Sequence, residues 1–219
     1  VSTVFLIDDH SLLREGLAHL LGRQDDFEIC GQAGTAREAL AQIPELDPDL
    51  VLLDMSLPDK NGLELIKDLQ AICPHVRILV LSMHDETLYA ERVLRAGARG
   101  YIMKEAAGER LVEAMRRVLA GRVALSPEAS THILGALSDN PGDRPRSRMQ
   151  SLTDREFEVF ELIGKGRDAH EISRRLGISP RTVDAHRAHI REKLGLADSS
   201  ELMRYAVRWV ETGEVSETE

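Results

Sequence analysis

The chain has 219 residues, 42% hydrophobic and 30% charged, a balance that supports one large or two modest globular domains and excludes fibrous, low-complexity and disordered classes. No apolar run approaches the roughly 18 residues that a bilayer-spanning helix needs, and residues 1–7 are too short and too soon followed by acids for a signal peptide, so a soluble, cytoplasmic protein without membrane contact is expected. The net charge of -9 is uneven: residues 1–143 carry 14 Lys and Arg against 23 Asp and Glu, whereas 144–211 carry 14 against 11, so only the second half suits a polyanion.

The first 120 residues alternate short apolar runs with amphipathic stretches. Runs at 4–7, 27–33, 50–55, 78–81 and 101–103 are separated by segments at 12–21, 36–43, 63–72, 88–96 and 110–119 with apolar residues three and four apart. Five strand-plus-helix units are predicted, and continuous Val/Ile/Leu runs are those of strands covered on both faces. The economical fold is α/β, a doubly wound five-stranded parallel sheet between helices. Residues 1–122 form this domain. Residues 123–150 read as a linker with a short helix starting at Ser126-Pro127; its part from 138 to 150 has two prolines, a glycine and no apolar period. A small all-α, four-helix domain is predicted at 151–211, followed by an acidic tail at 212–219. Its first helix opens with the capping box Thr153-x-x-Glu156 and stops at Gly164 and Gly166. A helix near 171–176 ends at Gly177, a third starts at Ser179-Pro180 and runs to about 194, and a fourth spans about 200–211. Cys30 and Cys73 lack C-x-x-C spacing and are expected to be packing residues.

Asp8 and Asp9 stand at the carboxyl end of the first strand and Asp54 near that of the third. In an open α/β sheet, ligands bind outside these ends where strand order reverses, so the three acids converge on one crevice. A cation would relieve their repulsion, and Mg²⁺ suits a few carboxylates plus water and phosphate oxygens. One carboxylate could then attack phosphorus, with Lys104 after the fifth strand and the Ser82 hydroxyl after the fourth neutralising or bonding the phosphoryl oxygens. An aspartyl-nucleophile phosphatase would use the same groups. Such enzymes generally carry Asp-x-Asp after the first strand, whereas here Asp8 and Asp9 are adjacent and Asp54 stands alone.

Leu6-Ile7-Asp8-Asp9-His10, Leu53-Asp54-Met55-x-Leu57-Pro58-Asp59-x-Asn61-Gly62, Leu81-Ser82, Gly97-Ala98-x-Gly100-Tyr101 and Lys104 resemble the receiver domain of bacterial two-component response regulators. The resemblance implies that Asp54 accepts a phosphoryl group from a sensor histidine kinase, and that Asp9, Asp54 and the Ser56 carbonyl ligate Mg²⁺ with Asp8 acting largely through water. It also implies that Lys104 pairs with the phosphoryl oxygens, that Ser82 moves towards them, and that Tyr101 turns inward. His84 either borders this site or stands in a solvated loop, and His10, His19 and His75 lack ligand spacing and are assigned no chemistry.

In the second domain, Leu176-Gly177-Ile178-Ser179 joins two helices through a glycine turn, as in a helix-turn-helix. Projecting 180–194 at the helical period puts Val183, Ile190 and Leu194 on a core face, with His186 and Arg187 at its margins. The outer face holds Arg181, Ala185, Ala188 and Glu192, flanked by Thr182, Asp184, His189 and Arg191. Alanines allow close approach to a groove floor, Asp184 could accept from cytosine, and Arg181 or Arg191 could reach guanine or phosphate.

Leu152-Thr153-x-Arg155-Glu156, Gly164-x-Gly166, Glu171-Ile172-x-x-x-Leu176-x-Ile178-Ser179, Arg181-Thr182-Val183-x-x-His186 and Lys193-Leu194-Gly195 are similar to the LuxR-type helix-turn-helix, and the whole chain to a NarL/FixJ-type response regulator. That resemblance places the 180–194 helix in the major groove of double-stranded DNA, with Arg181, Thr182, Asp184, Ala185, Arg187, Ala188, Arg191 and Lys193 as the DNA-binding set, and implies a homodimer on activation. Asp184 departs from the lysine many members carry, and Asp168-Ala169-His170 from a more usual Ser-Asn-Lys. The expected function is a transcription factor switched at Asp54, not an enzyme. A phosphorylation-independent DNA-binding regulator remains the alternative.

Overall fold

The computed structural model describes residues 1–83, 86–106, 108–138 and 148–212. His84, the stretch 139–147 of the anticipated linker and the stretch 213–219 of the anticipated tail lie outside the described residues. The chain divides into a first compact unit, Val1–Ser138, and a second that follows it.

The first unit alternates strand and helix: β1 (Ser2–Ile7), α1 (Ser11–Leu21), β2 (Phe27–Ala33), α2 (Ala36–Leu46), β3 (Leu50–Leu53), α3 (Gly62–Ile72), β4 (Arg77–Ser82), α4 (Glu86–Ala96), β5 (Gly100–Met103) and α5 (Glu109–Leu119). The strands pair in parallel in the order β2-β1-β3-β4-β5. Order reverses between β1 and β3, where Ile7 is in register with Leu53, so the residues that follow these two strands open into the crevice of a doubly wound sheet. All four residues of β3 are buried, which explains why its sequence shows an unbroken apolar run rather than alternation. Val4 and Leu6 of β1, Leu50 and Leu52 of β3 and Leu79 and Leu81 of β4 pack with Leu17 and Leu21 of α1 and Leu111, Met115 and Val118 of α5. Thr35 and Asn61 cap α2 and α3 with their side-chain oxygens. β3 ends at Leu53 rather than 55, because Ser56 leaves the sheet and bridges Asn61 in antiparallel fashion.

Residues 123–138, read from sequence as linker, pack within the first unit. Ala124 bridges Gly100 in parallel, and α6 (Pro127–Ser138) follows. The Ser126-Pro127 start announces a helix but not its partner, so the sequence alone presents this segment as a tether.

The second unit begins with a short 3-10 turn at Arg148–Ser151 and continues through α7 (Asp154–Gly164), α8 (Ala169–Leu176), α9 (Pro180–Leu194) and α10 (Ser199–Thr212). The anticipated capping box at Thr153 and Glu156 is present, and Asp168 with Glu171 forms a second. α7 is the central helix, buried from Glu156 to Ile163. Phe157 and Phe160 meet Trp209 of α10 edge-on at 5.2 and 5.6 Å, and Phe160 also meets Tyr205. Buried Ile172, Val183, Ile190 and Leu194 bring α8 and α9 onto the same core. The turn between them rests on Gly177, whose φ of 62° is left-handed, a conformation costly for residues with a Cβ. Among the described residues no helix is long and apolar enough to cross a membrane.

Candidate functional site

Three loops at the carboxyl edge of the sheet build the acidic pocket. Asp8 follows β1, Asp54 follows β3, and Lys104 follows β5 as the first residue of a short 3-10 turn. Asp54 is held in place by its own backbone, its N–H donating to the Ile7 carbonyl at 2.8 Å. Asp8 and Asp54 are each only 3% exposed. The Lys104 ammonium lies between them, 2.7 Å from Asp8 Oδ2 and 2.8 Å from Asp54 Oδ2. The other oxygen of Asp54 accepts the Ser56 N–H at 3.2 Å. Ser82 is the last residue of β4 and is fully buried. Asp9 is more open, and its carboxylate joins those of Asp8 and Asp54 with the His10 ring in a group whose candidate ligand atoms all lie within 4.8 Å of one another.

His10 makes contacts that its spacing does not announce. The sequence assigned it no chemistry because it lacks a partner at helical ligand spacing. In the structure its Nδ1 lies 2.8 Å from Asp9 Oδ1 and 3.1 Å from Asp8 Oδ1, and its N–H donates to the same Asp8 oxygen at 2.8 Å. The signal available was adjacency to the acid pair at a strand end. Arg14, one turn into α1, donates to the Asp8 carbonyl and was equally unmarked.

Charge in the pocket is unbalanced. Burial pushes the Asp54 carboxyl above the usual carboxylate range, against the pull of Lys104. Burial also works against the Lys104 ammonium, but its bonds to Asp54 and Asp8 prevail and hold it more firmly protonated than a free lysine. Lys104 thus pairs with the two buried carboxylates and not with that of Asp9. Such a set of hard oxygen donors with residual negative charge fits a divalent cation. Tyr101 is fully buried in β5, its ring stacked on Tyr89 of α4 with centroids 6.5 Å apart.

The second unit presents α9. Ser179 caps it and Pro180 occupies its first turn. Arg181, Thr182, Asp184, Ala185 and Ala188 are exposed, while Arg187, Arg191 and Lys193 are half-buried. Two of these side chains, Thr182 and Lys193, have work inside the unit that the sequence did not reveal. Thr182 Oγ1 lies 2.8 Å from the capping Ser179 hydroxyl. Lys193 donates to buried Glu156 at 2.6 Å, tying the end of α9 to the start of α7. The Arg191 Nε is buried without a hydrogen-bond partner among the described residues. His186, predicted at the margin of the core face, is half-buried, and its burial holds the imidazole below its ordinary pKa. Arg148 donates to the Leu194 carbonyl at 3.1 Å, placing a cation at the C-terminus of α9 where the helix dipole favours it.

The profile of the response regulator receiver domain matches residues 4–116, and that of the bacterial regulatory proteins of the luxR family matches 150–206. The oxygen regulatory protein NreC of Staphylococcus carnosus is 35% identical over 209 residues, 94% of this chain and 96% of its own. The transcriptional regulatory protein UhpA of Escherichia coli is 37% identical over 202 residues, 92% and 96% of the two chains. Among solved structures, a LuxR-family two-component response regulator from Aurantimonas sp. SI85-9A1 shares 32% identity with a TM-score of 0.59, covering 64% of this chain and 99% of that one. RcsB from Salmonella enterica serovar Typhimurium, at 23% identity and a TM-score of 0.72 over 94% of this chain and 98% of its own, shares the fold. The receiver implies a kinase that phosphorylates it and the luxR-type domain implies DNA binding, in a family of regulators rather than enzymes. With a doubly wound sheet that carries an acidic crevice, a helix-turn-helix after it, and relatives aligned over more than nine-tenths of both chains, the chain belongs to the NarL/FixJ family of two-component response regulators.

Proposed function

We propose that Asp54 is the phosphoacceptor of this regulator and that Mg²⁺ is its cofactor. The observation that carries the reading is the fixed position of one buried carboxylate, Asp54, against Lys104 and beside Asp8 and Asp9. An Asp54 carboxylate oxygen attacks the phosphorus of a kinase phosphohistidine; the P–N bond breaks, the imidazole leaves with its electron pair, and an acyl phosphate forms. Bound Mg²⁺ supplies charge neutralisation for the phosphoryl oxygens and would be held by Asp9, Asp54 and the Ser56 carbonyl, with Asp8 acting through water. Lys104, which already spans Asp8 and Asp54, pairs with the same oxygens. The Ser82 hydroxyl donates to them, and the differential interaction of Ser82 and Lys104 with the modified site shifts the population of the switch. Tyr101, packed inward against Tyr89, carries that shift into α4.

The DNA reader is α9. Arg181, Asp184, Ala185 and Ala188 on its exposed face read base edges in the major groove, with Arg187 and Arg191 reaching phosphate; Thr182 and Lys193 chiefly hold the helix in place. Asp184 opposes nonspecific attraction to phosphate, so selectivity depends more on the right bases and on pairing two copies on adjacent half-sites. The domain division that fits is a receiver at 1–122 with its packed extension to 138, and a DNA-binding domain at 151–211, acting in the cytoplasm with a sensor histidine kinase.

The test is labelling with acetyl phosphate and Mg²⁺, read by intact mass. The native chain takes up one phosphoryl group and Asp54→Asn takes up none. Full labelling of Asp54→Asn overturns the acceptor assignment. Selection of binding sites from random duplexes should give a profile that Ala185→Arg alters, and an unaltered profile removes α9 as the reader.

A further inference from the structure

The chain that follows α5 is anchored to the receiver along the edge of β5 and at the start of α4. Residues 123–125 lie along the open edge of β5. The Tyr101 N–H donates to the Ala124 carbonyl at 2.9 Å, and the Ala124 N–H donates to the Arg99 carbonyl at 3.0 Å. Gly100 permits this approach, because a Cβ there would meet the Ala124 oxygen at 2.7 Å and Leu79 Cδ1 at 2.8 Å. One residue on, the Ser126 hydroxyl accepts the Ala129 N–H at 3.1 Å and so caps α6, while the Ser126 N–H donates to Glu86 Oε1 at 2.8 Å.

Glu86 is the second anchor. It belongs to the first turn of α4 and is 8% exposed, an unusual place for a carboxylate that could reach solvent. Burying it is tolerable because it stands at the N-termini of two helices at once, where both dipoles and the Ser126 N–H favour negative charge. A glutamate so placed is a joint between α4 and α6.

Both anchors belong to elements that respond to Asp54 in the reading above. Glu86 is four residues beyond Ser82, and Tyr101 sits beside Val80 in the β4–β5 register. We propose that Glu86 is a latch: in the unmodified receiver it holds Ser126 and so keeps α6 on α4, and movement of Ser82, at the end of β4, towards a phosphoryl group on Asp54 withdraws it. Release frees residues 126–138 from the receiver and lengthens the tether to the DNA-binding unit. Glu86 is a positioning residue that never touches the phosphoryl group. The inference rests on the phosphoacceptor reading, and the experiment separates the two.

Amide hydrogen exchange at Ala124 and Ser126 is measured in the full chain with and without acetyl phosphate and Mg²⁺. Phosphoryl occupancy comes from intact mass on the same samples, and affinity is measured for a duplex selected with the native protein. In the native chain, modification should speed exchange at Ser126 by about tenfold, the scale of losing one charge-assisted hydrogen bond. Glu86→Ala should exchange fast already when unmodified, reach native phosphoryl occupancy, and bind DNA with a ratio of modified to unmodified affinity close to one. Ser126→Pro deletes the donor without touching α4 and should collapse the ratio likewise; it decides the matter if Glu86→Ala does not fold. Native occupancy with an unchanged affinity ratio in these variants, or native occupancy without faster Ser126 exchange in the native chain, overturns the latch and leaves Asp54 as acceptor. A native chain that takes up no phosphoryl group overturns the acceptor reading and the latch with it.

Discussion

Replacing Lys104 by methionine tests the charge balance of the acidic pocket most directly. The variant keeps most of the stem volume and removes the ammonium that lies 2.7 and 2.8 Å from two carboxylates, each of them 3% exposed. Removing one partner of a buried ion pair costs about 3–5 kcal/mol, because the charge left behind is neither solvated nor paired. Asp8 keeps the His10 N–H and Asp54 the Ser56 N–H, which favours the low end of that range. For a unit of this size a loss of about 3 kcal/mol corresponds to a drop in melting temperature of about 10 °C. Calorimetry on the full chain resolves the effect. The protein has one tryptophan, Trp209, buried in the second unit, so fluorescence assigns that unit's transition and the remaining transition belongs to the receiver. Mg²⁺ should restore Lys104→Met more than it stabilises the native chain, because the vacated pocket is more negative; at about 100 times its dissociation constant a ligand contributes about 2.7 kcal/mol. Lowering the pH should shrink the defect as well. The Asp54 carboxyl already titrates above its ordinary range and, without Lys104, is neutralised at a still higher pH. A receiver transition unchanged by Lys104→Met in the absence of Mg²⁺ would refute the view that this lysine neutralises the pocket.

Glu156 accepts from Lys193 and Thr153, and these bonds outweigh burial to hold its carboxyl below the ordinary value. Its stabilisation is therefore complete above the unfolded pKa of about 4.3 and is lost as pH falls through the lower folded value. His186 is depressed in the same sense, so its contribution is present above about 6.5 and fades below it. Trp209 fluorescence should show the second unit weakening in two acid steps, and Glu156→Gln should remove the lower step while costing about 1–3 kcal/mol at neutral pH; a melt that stays pH-independent from 7 to well below about 4.3 contradicts both. Gly100→Ala, which must displace the Ala124 oxygen or Leu79, should cost about 1–3 kcal/mol in the receiver transition and accelerate exchange at Ala124, whereas native protection would mean the edge segment is held elsewhere. Asp184→Asn should tighten binding to unrelated duplex several-fold at low salt while reducing discrimination in favour of the selected site. Equal nonspecific affinity would place Asp184 away from the phosphates.

The number of strands, their parallel direction and the convergence of Asp8, Asp54 and Lys104 were legible because each shows in a local pattern: a run of apolar residues long enough for a covered strand, and a polar residue just past its carboxyl end. The same is true of α7 and α9, announced by Thr153-x-x-Glu156 and Ser179-Pro180. What escaped the sequence depends on contacts between distant segments. Lys193 stands in the DNA-binding set that the resemblance implies, and its bond to a glutamate 37 residues earlier shows in no local pattern. His10 carries no ligand spacing, and only the bend after β1 turns its ring onto Asp8 and Asp9. The largest omission is residues 123–138, which have a helix start and no apolar stripe strong enough to betray a partner. Their docking is written in the receiver, as a glycine on the edge strand and a glutamate that would otherwise have no reason to be buried. A lone Gly100 or Glu86 has many explanations in sequence. Only when the Ala124 carbonyl and the Ser126 N–H are brought to them does each acquire one, and the same two contacts make the tether an element on which the state of Asp54 can act.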